Sequence, residues 1–584
     1  MVFALYSICD SVPLKAQVEG PTLPERALPR LGPERPQDLQ LPPLRRLPPA
    51  SPDLLKTQPE PAPEPESEPE PAQPGPSEAP ESSEGESKIE VKQFRFEGNT
   101  VFSDAELAAL IQSFLNKPLT FTQLLEARTV ISNYYIDKGY TTSGAFIPVQ
   151  ESKDGIITIR VLEGKLGSIT VDMKGKLRPW YVKSRLAIAG RAPLNVPRLL
   201  EGLQKLQTSP LIKTISAELA ASPEPGVSDL IVKGVTAQTF TADVVVDNGR
   251  NPQVGSIQRG PDLYELNLFG IGDAFTASYR QTDGSKDLQL SYEVPVNAYN
   301  GTLRFSYRTL TSTVIEQPLA ELDIDSDFQQ YFVSFRQPLV QTLNKEFALG
   351  INVDKQDSRS LIGGRPFPGR GVNRFGQANV TTIGFFQDWL NRSEQHVFGV
   401  RSEFNFGINA LGATNPINLG IDEEAPDNNY FFWGGQVQYI RSLGPDALFI
   451  ARTDIQLADA PLPSIQQFGL GGLGSVEGYR QNTLLTDSGF LAAMEVRLPI
   501  LRFPKSKVLL QIVPLTALGH GWNMGASPQP EINTLASVGM GLQLQINTNV
   551  SARISYARRL GRIPYFSGNT LQDDGILFTF SLSP

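Results

Sequence analysis

The chain has 584 residues, of which 40% are hydrophobic and 19% charged, with 50 Gly, 47 Pro, one Cys and two His. That length leaves room for three or four domains. Cys9 alone excludes a disulfide framework or a thiolate metal cluster, and the wide separation of His396 and His520 argues against a His-built metal centre. The formal charge of −9 is local. Nine Glu and Asp53 against Lys56 and Lys88 give residues 51–88 a charge of −8, so neither a nucleic-acid footprint nor a polybasic membrane arm is present.

No run approaches the roughly 18 apolar residues that a membrane-spanning helix requires. A closed sheet satisfies every backbone group in lipid with strands of only about 9–11 residues, so composition leaves a barrel open. The N-terminal MVFALYSICDSVPLKAQ has a short apolar stretch but no basic residue before Lys15. It reads as an atypical signal peptide, or as a start lying inside the true one. Tyr6-Ser7-Ile8 before Cys9 is a poor lipobox.

Residues 1–87 read as a signal remnant and a Pro/Glu-rich disordered linker. Twenty of the prolines fall in residues 1–88, and PEPAPEPESEPEPAQPGPSEAPESSEGES has almost nothing apolar to bury. A solvated spacer is the plain reading; a partner-binding segment is the alternative. The same prolines make a long N-terminal plug helix doubtful.

The pattern changes at Lys88. IEVKQFRFEGN alternates Ile89, Val91, Phe94 and Phe96 with polar residues and predicts a strand. Ser103 and Glu106 form a capping box for a helix with a stripe of Leu107, Leu110, Ile111 and Phe114. A second helix is predicted over 122–138 with Gly139 as its C′ residue. Strands near 145–150 and 156–162 follow, separated by Asp154-Gly155. The order strand, helix, helix, strand, strand recurs in 165–235: a strand at 168–173, helices at 179–189 and 196–206, and strands at 214–219 and 229–235 around Pro225-Gly226. The chain therefore divides into 1–87, two βααββ units at 88–164 and 165–235, and 236–584.

From about Thr236 helical periodicity gives way to strict alternation. Leu288, Leu290, Tyr292 and Val294 alternate with Gln289, Ser291 and Glu293; Val550, Ala552, Ile554 and Tyr556 alternate with Ser551, Arg553 and Ser555. One such strand also fits a soluble sheet. Sixteen of them, from 236–247 to 574–583, with aromatic ends and no helix between, predict a 16-stranded transmembrane barrel over a soluble sandwich or propeller.

Together these features resemble the two-partner secretion transporters of the hemolysin-activation class (ShlB, FhaC and HecB types), within the wider barrel-assembly superfamily. FRFEGNTVFSDAEL and ISNYYIDKGYTTSGAFIPVQESKDGIITIRVLEGKLG look like that class's first polypeptide-transport-associated (POTRA) domain, and PGVSDLIVKGV belongs to a second. FGLGGLGSVEGYRQN, within a loop at 458–487, looks like the loop that folds back into the barrel in this superfamily. The family's tetrad of Val, Arg, Gly and an aromatic residue stands here as Val476-Glu477-Gly478-Tyr479, so the arginine that would meet an acid on the wall is a glutamate. Glu495 and Arg497 share one face of the following strand. A swapped polarity is expected: Glu477 with Arg497, or Arg480 opposite Glu495.

The resemblance implies an outer-membrane protein, embedded in lipid with its POTRA domains in the periplasm. It would act as a monomer that moves an unfolded exoprotein with an N-terminal secretion domain to the cell surface. It implies no cofactor, no metal, no nucleic-acid partner and no enzymatic activity. Folding of the passenger outside would supply direction, since no nucleotide site appears. The main rival is an outer-membrane assembly insertase of the same superfamily; a passive porin and an enzyme are weaker ones. Gly469-Leu-Gly471-Gly472-Leu-Gly474 matches G-x-G-x-x-G, but no helix is predicted after it, and a flexible loop apex explains the glycines. Glu495 and its acidic neighbours read as polar lumen lining before a catalytic pair. His396 is expected at a strand start and His520 in a turn.

Overall fold

The computed structural model describes residues 55–57, 88–151, 154–367, 371–414, 426, 428–525, 527–561 and 569–583. The signal, Cys9, plug-helix and Pro/Glu-linker readings lie outside those residues, except for Leu55–Thr57.

The alternating segment after Lys88 is two strands, not one. Ile89–Val91 pairs with Lys117–Leu119, while Gln93–Glu97 runs parallel to Ile156–Leu162 in a separate three-stranded sheet completed by Gly144–Phe146. The break at Lys92 lets its own N–H and that of Gln93 bond the Gly155 carbonyl, so the turn is stitched to the strand junction. Ser103 and Glu106 do form the capping box of a helix, Asp104–Leu110, that is shorter than its apolar stripe. A second box, Thr120 with Gln123, starts Phe121–Asp137 and was missed in the sequence. Leu107, Ile111, Leu124, Ala127, Ile131 and Tyr135 pack against Ile157 and Ile159 as the unit's core. Glu163 fastens its end. This carboxylate accepts the N–H groups of Thr100 (2.7 Å) and Val101 (2.9 Å) and the Tyr135 hydroxyl (3.0 Å).

The second unit has helices Pro179–Ala189 and Val196–Gln207 over a sheet of Lys165–Lys174, Val227–Thr236 and Ile212–Ala221. Leu55–Thr57 adds to the outer edge of that sheet, parallel to Ile212–Ala221 and opposite Ala217, Glu218 and Leu219. The two units touch through backbone: Leu194 N–H bonds the Gly164 carbonyl (2.7 Å) and Val196 N–H the Gly139 carbonyl (2.9 Å).

Among the described residues, sixteen long antiparallel strands from Phe240–Asp247 to Ile576–Leu582 close a barrel, with a two-residue piece, Arg365–Pro366, extending one hairpin. Its burial is inverted relative to a soluble protein. Tyr331, Val333, Phe335, Ile351 and Phe385 are exposed, whereas Gln330, Asn352, Asp354 and Glu403 are buried and bonded to one another. Gln330 Nε2 donates to Asp354 (2.9 Å) and Asn352 Nδ2 to Glu403 (2.8 Å). Only a hydrocarbon solvent outside and a polar lumen inside make that arrangement favourable. The first and last strands pair over Val244–Asp247 and Thr579–Leu582, and Asn248 reinforces the seam by donating to Ile576 O (2.9 Å) and accepting from Phe578 N–H (2.8 Å).

The second unit is seated on the barrel's periplasmic turns. Arg178 N–H bonds the Gly270 carbonyl (2.7 Å), Arg185 Nε bonds Asn300 Oδ1 (2.8 Å), and Lys205 reaches the Gln341 carbonyl. A Cβ on Gly272 would stand 2.4 Å from the Tyr181 ring, so only glycine lets that turn lie flat on the aromatic face. Leu266, from the same turn, packs against the unit's hydrophobic core.

Candidate functional site: the inward loop and its seat

The 29 residues between the strands Ala447–Ala458 and Ser488–Phe503 form the longest inter-strand connection whose tip is described, and they turn back into the lumen. A short hairpin, Phe468–Leu470 with Leu484–Thr486, forms the stem. Phe468, Leu470, Val476, Tyr479 and Leu484 bury themselves against Leu491, Ala517 and Leu535 of the wall. The wall is hollowed by missing side chains. A Cβ on Gly519 would meet Leu470 at 2.8 Å and Val476 at 3.1 Å, and one on Gly521 would overlap Thr486 at 2.3 Å. The loop is thus seated at close-packed distances, where any added methyl is felt.

The tetrad is the tip of this plug. Gly478 has φ +94°, and a Cβ there would lie 2.6 Å from the Ala557 carbonyl, so the backbone meets the wall directly. Tyr479 is 1% exposed, and its hydroxyl donates to Ala536 O (3.1 Å) while accepting Ala536 N–H (3.3 Å).

Glu477 and Glu495 are joined through Arg553, on Val550–Arg559. Arg553 Nη2 lies 3.4 Å from Glu477 Oε1, and its Nη1 donates to Glu495 Oε2 at 2.8 Å. Ser555 Oγ donates to Glu477 at 2.6 Å. Arg497 binds Glu495 instead, with Nε to Oε1 at 2.7 Å. The direct pairs expected from the sequence are therefore not the contacts made. The reversed polarity does appear, but Arg553, two residues before Ser555 on the same inward face, carries it. Its place in the polar half of VSARISYA was the signal that could have named it.

Arg480 points the other way, toward the cell exterior. It makes paired bonds to Glu316 (2.9 and 2.8 Å), in the loop after Thr302–Thr313, and to Asp573 (2.5 and 2.8 Å), just before the last strand. Gln481 N–H bonds Gln572 Oε1 (2.9 Å), and Asn251 Nδ2 bonds the Gln481 carbonyl (3.2 Å). One arginine and its neighbour thus tie the tip to three exterior connections. Neither Glu316 nor Asp573 was singled out in the sequence, because both sit in irregular segments with no periodicity.

The remaining sequence candidates settle plainly. The glycines of 469–474 serve the stem and tip, with Gly471 and Gly472 at φ +102° and +91°, and the next strand begins at Leu484. His396 opens the His396–Gly407 strand. His520 lies within Val508–Trp522 rather than in a turn, its Nδ1 2.8 Å from Thr534 Oγ1. No group of three or more His, Cys, Asp or Glu suited to a metal occurs among the described residues.

A lipid-facing barrel with a polar lumen, an inward loop locked to its wall and small α+β units at its periplasmic mouth defines an outer-membrane barrel of the kind that carries periplasmic POTRA domains. Residues 226–544 match the model of the haemolysin secretion/activation protein family ShlB/FhaC/HecB, and residues 89–164 match the ShlB-type POTRA domain. The chain belongs to that family of two-partner secretion transporters, and it is not an enzyme. It is 23% identical over 406 residues to the outer membrane transporter CdiB of Dickeya dadantii, covering 67% of this chain and 69% of that one. It is 22% identical over 474 residues to the heme/hemopexin transporter protein HuxB of Haemophilus influenzae, covering 78% and 80%. The structure of CdiB from Escherichia coli superposes with a TM-score of 0.65 at 19% identity, over 86% of this chain and 92% of that one, a likeness of fold.

Proposed function

We propose that the protein captures an unfolded exoprotein in the periplasm by strand addition to the edges of its POTRA sheets and passes it through the barrel lumen to the cell surface. The observation that carries this reading is Leu55–Thr57 lying as an added strand on the edge of Ile212–Ala221. Strand addition of this kind works through backbone bonds, which makes recognition tolerant of sequence. Each bond contributes only about 0.5–1.5 kcal/mol net, so a docked segment can be handed on. The polar lumen suits a hydrated backbone, and the seated loop must leave its glycine-lined niche before a chain can pass.

Deleting the gene should remove one large polypeptide from the culture supernatant, and a photo-cross-linker in place of Ser216 on the exposed edge should capture that same polypeptide during export. A supernatant that is unchanged by mass spectrometry would sink the proposal. A general loss of other barrels from the outer membrane would instead favour an assembly insertase.

A further inference from the structure

The helix Pro179–Ala189 has two contrasting neighbouring aromatics. Tyr181 is buried on the Gly272 turn, whereas Trp180 is 47% exposed. A single exposed Trp is ordinary, but an amphipathic indole among other exposed aromatics at a membrane rim suits a boundary where one end is apolar and the other wet. The surroundings supply that setting. The same turn carries Phe269, 59% exposed, whose ring lies 6.2 Å from that of Tyr292. Tyr292 belongs to the outward apolar set of its strand with Leu288 and Leu290, so Phe269 marks the lipid side of the rim. The next periplasmic turn shows Tyr299, 61% exposed. Trp180 stands beside this turn, its ring centroid 6.5 Å from that of the Tyr181 that packs on Gly272.

Charge points the same way. Lys174, Lys176, Arg178 and Lys183 are all exposed around Trp180, with Asp172 the single acid in 172–191. Lys176 also reaches Glu265, near the foot of its barrel strand, at 3.7 Å. An amphipathic indole flanked by cations at the level of a membrane rim is the composition that binds an anionic headgroup layer.

We infer that the second POTRA domain rests on the periplasmic leaflet, with Trp180 in the headgroup region and its four basic neighbours on anionic phospholipid. The test uses the full chain in vesicles of phosphatidylcholine with or without phosphatidylglycerol, the acyl chains brominated near the headgroup. Trp389→Phe, Trp433→Phe and Trp522→Phe leave Trp180 as the one emitter, and heat-modifiable gel mobility verifies that this variant folds. If it does not, the difference between the native chain and Trp180→Phe gives the same reading. Trp180 emission should be blue-shifted and quenched by the brominated lipid. Replacing the four basic residues by Gln should abolish the part of that loss that depends on phosphatidylglycerol. A water-like emission without quenching in both lipids overturns the inference, and so does quenching indifferent to phosphatidylglycerol and to the Gln replacements.

Discussion

Exchanging the charges of Glu477 and Arg553 tests whether the reversed pair holds the loop in its seat. Glu477 is 5% exposed and Glu495 4%, and they share Arg553, while Arg497 completes a neutral group of two acids and two bases. Arg553→Glu would leave three carboxylates facing one guanidinium, and Glu477→Arg would leave three guanidinium groups facing one carboxylate. The double exchange restores neutrality. At the observed 3.4 Å, a unit pair is worth about 1 kcal/mol with water-like screening and about 5 kcal/mol at an effective dielectric near 20. A lumen wall lies between these limits, so the coupling energy should be about 1–4 kcal/mol. Arg553→Glu should be the worst single change, because it also opposes Glu495. The readouts are protease cleavage within 459–487 in intact vesicles and single-channel conductance, both rising when the loop leaves its seat. The double exchange should recover part of the protection that Arg553→Glu loses, since the opposition to Glu495 remains. A double variant no better protected than Arg553→Glu alone would refute the pairing.

Three further outcomes follow from the same geometry. Tyr479→Phe removes the hydroxyl that both donates to and accepts from Ala536 and should cost about 1 kcal/mol, raising loop cleavage without altering barrel mobility on gels. Gly478→Ala forces a side chain into a φ of +94° and against the Ala557 carbonyl, costing at least about 1–3 kcal/mol, so the loop should unseat while the barrel still shows heat-modifiable migration. In the first POTRA domain, burial opposes the Glu163 carboxylate, but the hydrogen bonds from Thr100, Val101 and Tyr135 outweigh it and hold its pKa below the ordinary value. A depressed carboxylate contributes stability that is present above its unfolded pKa, about 4.3, and is lost as pH falls through the folded value. Cleavage of residues 88–164 by an acid-active protease should therefore climb below about pH 4, and Glu163→Gln should be more sensitive at neutral pH with a flatter acid limb.

The sixteen barrel strands were legible because period-two alternation is written locally, and each strand such as Leu288–Val294 announces its own two faces. The helices were legible for a similar reason: Ser103, Gly139 and the leucines of 199–206 act within a few residues of themselves. The break at Lys92 was not, since the pattern of Ile89, Val91, Phe94 and Phe96 runs across it and only the pairing with Lys117–Leu119 reveals two partners. The loop's contacts were least legible. Glu477 could be seen as a departure, but its partner is set by where Val550–Arg559 falls after closure, 76 residues away. The pairing of Leu55–Thr57 is equally remote, because three residues in a proline-rich stretch carry no periodic signal.

Leu266 lies in a barrel turn yet packs, half-buried, against the hydrophobic core of the second POTRA domain. Each part therefore covers apolar surface of the other. A chain begun at Phe240 would expose this leucine to the periplasm, and a periplasmic fragment ended at Thr236 would leave the core surface beneath it bare. The finished molecule inherits a fixed bearing between the second POTRA domain and the barrel mouth, because the turn that carries Leu266 also holds Arg178 N–H through the Gly270 carbonyl.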